Sequence, residues 1–412
     1  MNTEFKTKLH PNESLKINSP QQVKLNDFDK KKANDKYIAG EVRIITEQAR
    51  YPLNTILSMV KSEDYILNPE FQRRHRWDVT RKSRLIESFI MNVPIPPIFL
   101  YEIEYSTYEV MDGLQRLTAI SQFYKNEYAL SNLTEWKELN GLTYEQLPEQ
   151  IRKGIDRRYI SSIILLQETA KDKVEAARLK QLVFERINSG GEKLKSQEIR
   201  NALYPGDLNS LCIKMARDKY FCKLWQIPEP DAHEISSGEP REEVINNIYY
   251  KDMSDVELCL RFVAYRQLDK MEGNTMEIFL DSFLKAGNEK FDIDTLNHIK
   301  TIFESTTKLA YEIFGIKAFW MHRKRSEKGS AGQNSHWYQL QKPTKVLYDP
   351  LMQVLSNLLD HSDKLIEKKD AIVAGTQKLH QDNLEIFAGR DTNKNDVIRR
   401  VNILREYFGR FI

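Results

Sequence analysis

Tyr108-Glu-Val-Met-Asp-Gly-Leu-Gln-Arg-Leu-Thr-Ala-Ile120 decides how the first half of this chain folds. An extended apolar run stops at Asp112-Gly113, and a helical pattern starts at once, with Gln115 and Arg116 in its first turn. The junction gathers a carboxylate, a flexible glycine, an amide and a guanidinium beside the N–H groups of a helix start. Such a start is a ready anion site, and phosphate is the obvious anion. Asp112 could also hold Mg²⁺, a hard cation that takes carboxylate oxygens. The plainer alternative is a hairpin-to-helix turn in which Gly113 supplies backbone freedom and Asp112 caps the helix.

Working outward, residues 98–103 read as a strand that pairs with 108–111 as a hairpin. Before it, residues 80–91 read as a helix with Leu85, Ile86, Phe89 and Ile90 on one face and Thr80 as N-cap. Pro94, Pro96 and Pro97 end that helix. Residues 65–69 form a short strand closing at a proline. Downstream, residues 147–157 are helical, 159–166 form a buried strand, and 173–187 form an amphipathic helix broken by Asn188-Ser-Gly-Gly191. Ser196 is expected to cap the next helix, with Glu198 placed for its dipole. From Asp207 onward strand signals nearly vanish, and helical spacing recurs at 256–264, 276–286, 293–314, 348–359 and 397–411. Residues 323–334 read as a loop.

These elements predict an α+β chain. A polar tail spans 1–37, a small mixed-sheet α/β domain spans 38–205, and an all-helical domain spans 206–412. The 412 residues suit two or three domains, and 41% hydrophobic and 10% aromatic content supports real cores. A net charge of +3 is too small to argue for nucleic acid, so only local patches could. Lys30-Lys-Lys32 is one such patch. It fits a solvated tail, or a basic arm that gains affinity by counterion release. Cys212, Cys222 and Cys259 show no metal-like pairing and suggest a reducing compartment; Cys259 sits in an apolar helical pattern and is expected in the core. No run approaches a membrane span and no secretion signal is seen, so the expected location is the cytoplasm.

Three further clusters could carry chemistry. Asn68-Pro-Glu-Phe-Gln-Arg-Arg-His-Arg-Trp77 is dense in donors (Gln72, Arg73, Arg74, His75, Arg76); its three arginines with Trp77 suit phosphate contact plus stacking, set against a solvated basic turn with Phe71 and Trp77 as core anchors. Phe184-Glu-Arg-Ile-Asn-Ser-Gly-Gly191 fits a helix C-cap, or a backbone nest for an anion at Asn188. Gln197-Glu-Ile-Arg-Asn201 places Glu198 and Asn201 on one helix face, which reads most simply as an ordinary exposed face. The histidines lack zinc spacing, and neither a phosphate-binding P-loop nor a nucleophile elbow is present.

Together the clusters resemble one family, the ParB/sulfiredoxin-like domain at the N-terminus of GmrSD-type modification-dependent restriction enzymes. The resemblance rests on Asn68-Pro-x-Phe-Gln-Arg73 with Trp77, Leu85-Ile-Glu-Ser88, Pro94-Ile-Pro-Pro-Ile98 and Asp112-Gly-Leu-Gln-Arg116. Phe184-x-Arg-Ile-Asn188, Glu198-Ile-x-Asn-Ala-Leu203 and Asp252-Met-x-Asp255 follow in order. The family's central motif is usually Asp-Gly-Gln-Gln-Arg, and Leu114 replaces its first Gln here.

The resemblance implies a nucleotide pocket formed by Gln72, Arg73, Gly113, Gln115, Arg186 and Asn188, with Asp112 and Arg116 as catalytic residues and Asp112 as the metal ligand. It implies a nucleoside triphosphate and Mg²⁺ as cofactors, and NTP hydrolysis coupled to DNA sensing in anti-phage defence or restriction. The alternative is a non-catalytic nucleotide- or DNA-binding switch acting with a partner effector protein; a purely structural interaction protein is the third reading. DNA, an effector and a second copy of the chain are the expected partners, and no membrane. Many family members also carry an HNH nuclease domain. Its His-x-x-Pro signature has no match here, since Asn297-His-Ile-Lys300 lacks the proline and His298 reads as an ordinary helix residue. The basic run Arg323-Lys-Arg-Ser-Glu-Lys-Gly329 is a candidate DNA contact, set against a merely solvated loop.

Overall fold

The structure is a computed structural model. It describes residues 7–17, 30–38, 44–67, 77–166, 168, 173–187, 195–238, 240–271, 275–326, 335–388 and 393–412. Contacts divide the chain into two compact units, one of Val23–Leu194 and one of Met1–Gln22 with Lys195–Ile412. The division falls at Leu194/Lys195. The helix at Ser196 therefore groups with the helical unit, although the sequence pattern assigns it to the sheet domain.

The first unit is built on a five-stranded mixed sheet of order β1-β5-β3-β4-β2. The strands are β1 (Thr46–Pro52), β2 (Tyr65–Ile66), β3 (Ile98–Glu104), β4 (Thr107–Asp112) and β5 (Tyr159–Leu165). β3 and β4 form the expected hairpin, with Phe99 opposite Asp112 and Glu104 opposite Thr107. β5 runs parallel to β3 and antiparallel to β1, and β2 runs parallel to β4. The described helices of this unit are α1 (Lys30–Ile38), α2 (Ile56–Lys61), α3 (Val79–Met91), α4 (Leu114–Tyr124), α5 (Glu149–Asp156) and α6 (Lys173–Ile187). Ile86 of α3, Ile98 and Leu100 of β3 and Ile120 and Phe123 of α4 are fully buried in one core. The 3.6-residue apolar period of each helix meets the two-residue period of the strands there.

One local expectation is corrected. Asp78, not Thr80, caps α3: its Oδ1 accepts from the Arg81 N–H at 2.7 Å. The polar stretch 126–140 is held by a buried carboxylate. Buried Glu87 of α3 accepts from the backbone N–H groups of Thr134, Glu135 and Trp136 at 2.8–3.0 Å. Leu130, Leu133 and Leu139 turn inward beneath that staple. The charge-assisted bonds offset the removal of the Glu87 carboxylate from water.

The second unit is helical, as its sequence pattern predicts. Its main helices are α7 (Ser196–Leu203), α8 (Ser254–Tyr265), α9 (Met276–Lys290), α10 (Ile293–Phe314), α11 (Lys345–Asn357), α12 (Lys369–Asp382) and α13 (Lys394–Phe408). It also carries a two-stranded antiparallel ribbon, β6 (Trp320–Ser326) and β7 (Ser335–Pro343). The first four residues read as a loop, Arg323–Ser326, are thus strand. Their basic composition hid a strand that only its partner defines.

Residues 7–17, expected as tail, pack into this unit. Glu13 is fully buried and its Oε2 accepts from Arg266 at 3.0 Å, while the Leu15 N–H donates to Gln267 Oε1 at 2.9 Å. Ser196 is not the cap of α7. Lys195 is, and Glu198 reaches back to its N–H at 2.6 Å. The face expected to be exposed is buried at Gln197, Glu198, Arg200 and Asn201. Arg200 pairs with Asp281 at 2.6 Å and Glu257 at 3.4 Å, and Lys345 reaches Glu257 at 2.8 Å. Burial alone would raise the Glu257 carboxyl; Lys345, Arg261 and Arg200 outweigh it and hold the pKa below the ordinary value. Cys259 is buried as expected.

Candidate functional site

The junction between β4 and α4 is built around a glycine that no other residue replaces cheaply. Gly113 has φ +96°, and a Cβ placed there would lie 2.3 Å from Ile98 Cγ2. The chain turns in the left-handed region against the start of β3, and α4 begins immediately. The Gly113 carbonyl already accepts the Leu117 N–H at 3.0 Å. No side chain caps α4, so the reading of Asp112 as its cap does not hold.

Asp112 instead turns to Arg116, one helical turn on. Its Oδ2 accepts from an Arg116 terminal nitrogen at 2.6 Å. The other terminal nitrogen of Arg116 donates to the carbonyls of Pro96, in a short contact, and of Pro97 at 3.3 Å. The Arg116 side chain is 10% exposed and that of Asp112 is 39% exposed. The guanidinium is therefore an internal tie between α4, the end of β4 and the proline turn before β3. The fork geometry of arginine suits such a role better than lysine would. Asp112 keeps solvent contact, and Oδ1 is the oxygen that this ion pair leaves over.

Gln115 faces another way. Its Oε1 accepts from the backbone N–H of Trp77 at 3.1 Å, which leaves its amide NH₂ as a donor. Trp77 packs against the core and under the Arg81 guanidinium, 4.8 Å from the ring centroid. Gln72 and Arg73 lie outside the described residues, as does all of 68–76. The described residues on either side of that segment flank β4 and α4. At one end β2 runs parallel to β4, with Ile66 opposite Glu109, heading toward Asp112. At the other, Trp77 is held by Gln115.

Of the remaining candidates, Arg186 is exposed near the C-terminal end of α6, and Asn188 lies outside the described residues. α6 is fixed to β4 by Lys180, whose Nζ meets Glu109 Oε2 at 2.5 Å with both side chains mostly buried. Arg186 follows six residues later, about 9 Å along the helix. The structure thus brings Asp112, Gly113, Gln115 and Arg116 into one junction and places Arg186 on the helix that Lys180 docks beside it. The Pro96 and Pro97 carbonyls, Trp77 and Lys180 complete the arrangement. Of these, the sequence pointed to Trp77 but not to the two carbonyls or Lys180, because backbone acceptors and a lone lysine on a helix leave no pattern to read.

Among the described residues, no three His, Cys, Asp or Glu side chains come together as a metal site. Mg²⁺ needs no such cluster, since it is commonly held by one or two carboxylates together with substrate phosphates and water. Asp112 suits that donor set. Among the described residues, no helix is long and apolar enough to cross a membrane.

A mixed-sheet domain whose central hairpin ends in an Asp-Gly-x-Gln-Arg helix start defines a recognisable class. Residues 53–205 match the family model described as GmrSD restriction endonuclease, N-terminal domain, and this stretch is a domain of that family. The domain implies a restriction- or defence-related role. No curated protein and no solved structure matches the chain.

Proposed function

We propose that the sheet domain binds a nucleoside triphosphate with Mg²⁺ at the β4–α4 junction, hydrolyses it, and couples that cycle to DNA sensing in restriction. The observation that carries the reading is the convergence on one uncapped helix start. Asp112 offers there the carboxylate oxygen that its ion pair leaves over, and Trp77, which follows the segment bearing Gln72 and Arg73, is held there by Gln115. Phosphoryl transfer needs positioning and charge neutralisation more than covalent chemistry.

In this reading the first N–H groups of α4 and the arginine of Gln72-Arg73 take the phosphates. Asp112 holds Mg²⁺ or orients the attacking water. Arg116, tied to Asp112 and to two backbone carbonyls, acts as a positioning residue that fixes the carboxylate. Gln115, Arg186 and Asn188 complete the contacts. DNA is the proposed macromolecular partner, alone or with an effector protein. The cytoplasm is the proposed location.

A second reading, a switch that binds nucleotide without hydrolysing it, draws on Leu114, which departs from the family's usual glutamine. Filter binding of nucleotides and DNA, run beside phosphate release, separates the two. Release of phosphate with Mg²⁺ supports the enzyme, binding without release supports the switch, and no nucleotide binding ends both.

A further inference from the structure

The helical unit holds a cavity of about 260 Å³ that the junction does not use. It is bounded by the β6–β7 ribbon, the end of α10 and helices α11, α12 and α13. Its walls are largely aliphatic and aromatic, with Phe314, Trp320, Tyr407 and Phe408 supplying rings; Gln339 and Gln377 supply amides, and Lys317 supplies a single cation. Its volume lies below the roughly 300 Å³ at which pockets for drug-sized ligands begin, so it has room for a single ring system. No carboxylate lines it, which argues against a cationic ligand.

Two histidines meet in its wall. His322 Nδ1 lies 3.2 Å from His380 Nδ1, and the His322 backbone N–H donates to that same His380 nitrogen at 3.3 Å. His380 Nδ1 is thus an acceptor, and its proton sits on Nε2. Burial lowers both rings' pKa, His380 to about 4, so the pair is neutral at pH 7. A neutral pair offers one donor, His380 Nε2–H, and one acceptor, His322 Nε2. The indole Nε1 of Trp320 is buried and has no hydrogen-bond partner among the described residues. Buried indole N–H groups normally find one.

The ribbon continues beyond this cavity. In register, His322 faces Gln339, Arg323 faces Tyr338 and Lys324 faces Trp337. Side chains alternate along a strand, so Lys324 and Trp337 share a ribbon face with the cavity residues His322 and Gln339. A cation beside an aromatic ring is the pairing that holds a single nucleic-acid strand, by phosphate contact and base stacking.

From this we infer that the cavity seats one nucleobase, between aromatic rings and against amide and imidazole edges, and that the Lys324–Trp337 face carries the backbone of the single-stranded DNA that supplies it. An unstacked base held by edge hydrogen bonds and ring contacts is a known mode of base reading. The inference goes beyond the triphosphate reading of Asp112 and stands or falls separately from it.

Calorimetric titration of the full chain with the four deoxynucleosides, and with single-stranded ten-residue DNA oligonucleotides, tests it. Inorganic phosphate serves as the control ligand. At least one deoxynucleoside should bind, and the oligonucleotides should bind at least tenfold tighter. Ala374→Phe, which fills the cavity from an exposed lining position, should weaken both at least tenfold; Gln377→Leu gives a second test should that variant fold poorly. Lys324→Glu should weaken the oligonucleotide at least fivefold and leave nucleosides unchanged. Asp112→Asn should change neither, which keeps this test apart from that of the junction. No binding of any nucleoside, or binding indifferent to both Ala374→Phe and Gln377→Leu, would overturn the site. Nucleoside binding without oligonucleotide binding would overturn the DNA assignment.

Discussion

Gln115 accepts the backbone N–H of Trp77 at 3.1 Å, joining residues 38 positions apart. The bond makes the first turn of α4 an anchor for Trp77, the residue that follows the segment carrying Gln72 and Arg73. Gln115→Leu removes the acceptor and leaves that N–H without its partner. Stability should fall by about 1 kcal/mol. Amide exchange at Trp77 should speed up at least tenfold while the β3–β4 amides stay protected, as hydrogen-exchange mass spectrometry would read. Equal protection of Trp77 in both proteins would show that the tether does not hold the segment.

Gly113 tests the backbone geometry. Gly113→Ala must place a Cβ 2.3 Å from Ile98 Cγ2 and keep φ at +96°. Overpacking and an unfavourable φ together should destabilise the sheet domain by about 2–4 kcal/mol. The denaturant midpoint measures it. A variant as stable as the parent would mean that the junction can take another path.

Glu87 offers a prediction away from the site. Glu87→Ala withdraws the acceptor of three backbone N–H groups. The expected loss is about 2–3 kcal/mol, with Glu87→Gln losing less than half as much. Trypsin should cut at exposed Lys137 much faster in the alanine variant. An unchanged cutting rate would show that residues 131–140 hold their shape without the staple.

The strand–helix junction was legible because each of its parts is local. An apolar run, Asp-Gly and a helical period occur within 13 residues, and the β3–β4 hairpin and α4 follow from them. The bounds of α6, Lys173–Ile187, were readable for the same reason. What stayed hidden depends on partners far along the chain. Arg116 looked like a phosphate ligand because nothing in sequence shows that the Pro96 and Pro97 carbonyls occupy its fork. The polar face of α7 looked exposed because its partners, Glu257 and Asp281, lie more than 50 residues away. The β6 strand was missed because basic residues suit a loop, and only the pairing with β7 makes them a strand.

His380 makes stability depend on pH. Burial, with His322 adding to it, lowers its folded pKa from 6.5 to about 4. The fold therefore prefers the neutral ring. The stability this contributes is fully present above pH 6.5 and is lost as pH falls from 6.5 toward 4, where the unfolded chain binds the extra proton more readily. The shift corresponds to roughly 3 kcal/mol. His380→Phe should flatten the decline between pH 6.5 and 4 in urea titrations. A decline of the same steepness would assign the acid sensitivity to other groups.

The central claim concerns Asp112. Phosphate release from a nucleoside triphosphate with Mg²⁺, compared between the parent chain and Asp112→Asn, tests it most directly. Asparagine keeps an acceptor for Arg116, so the tie at 2.6 Å has a neutral substitute and the fold should persist with little change in Tm. Turnover by the parent and at least a hundredfold loss in the variant, about 2.7 kcal/mol of transition-state stabilisation, is the predicted result. Equal turnover in both proteins, or none in the parent, would contradict the hydrolytic role assigned to this junction.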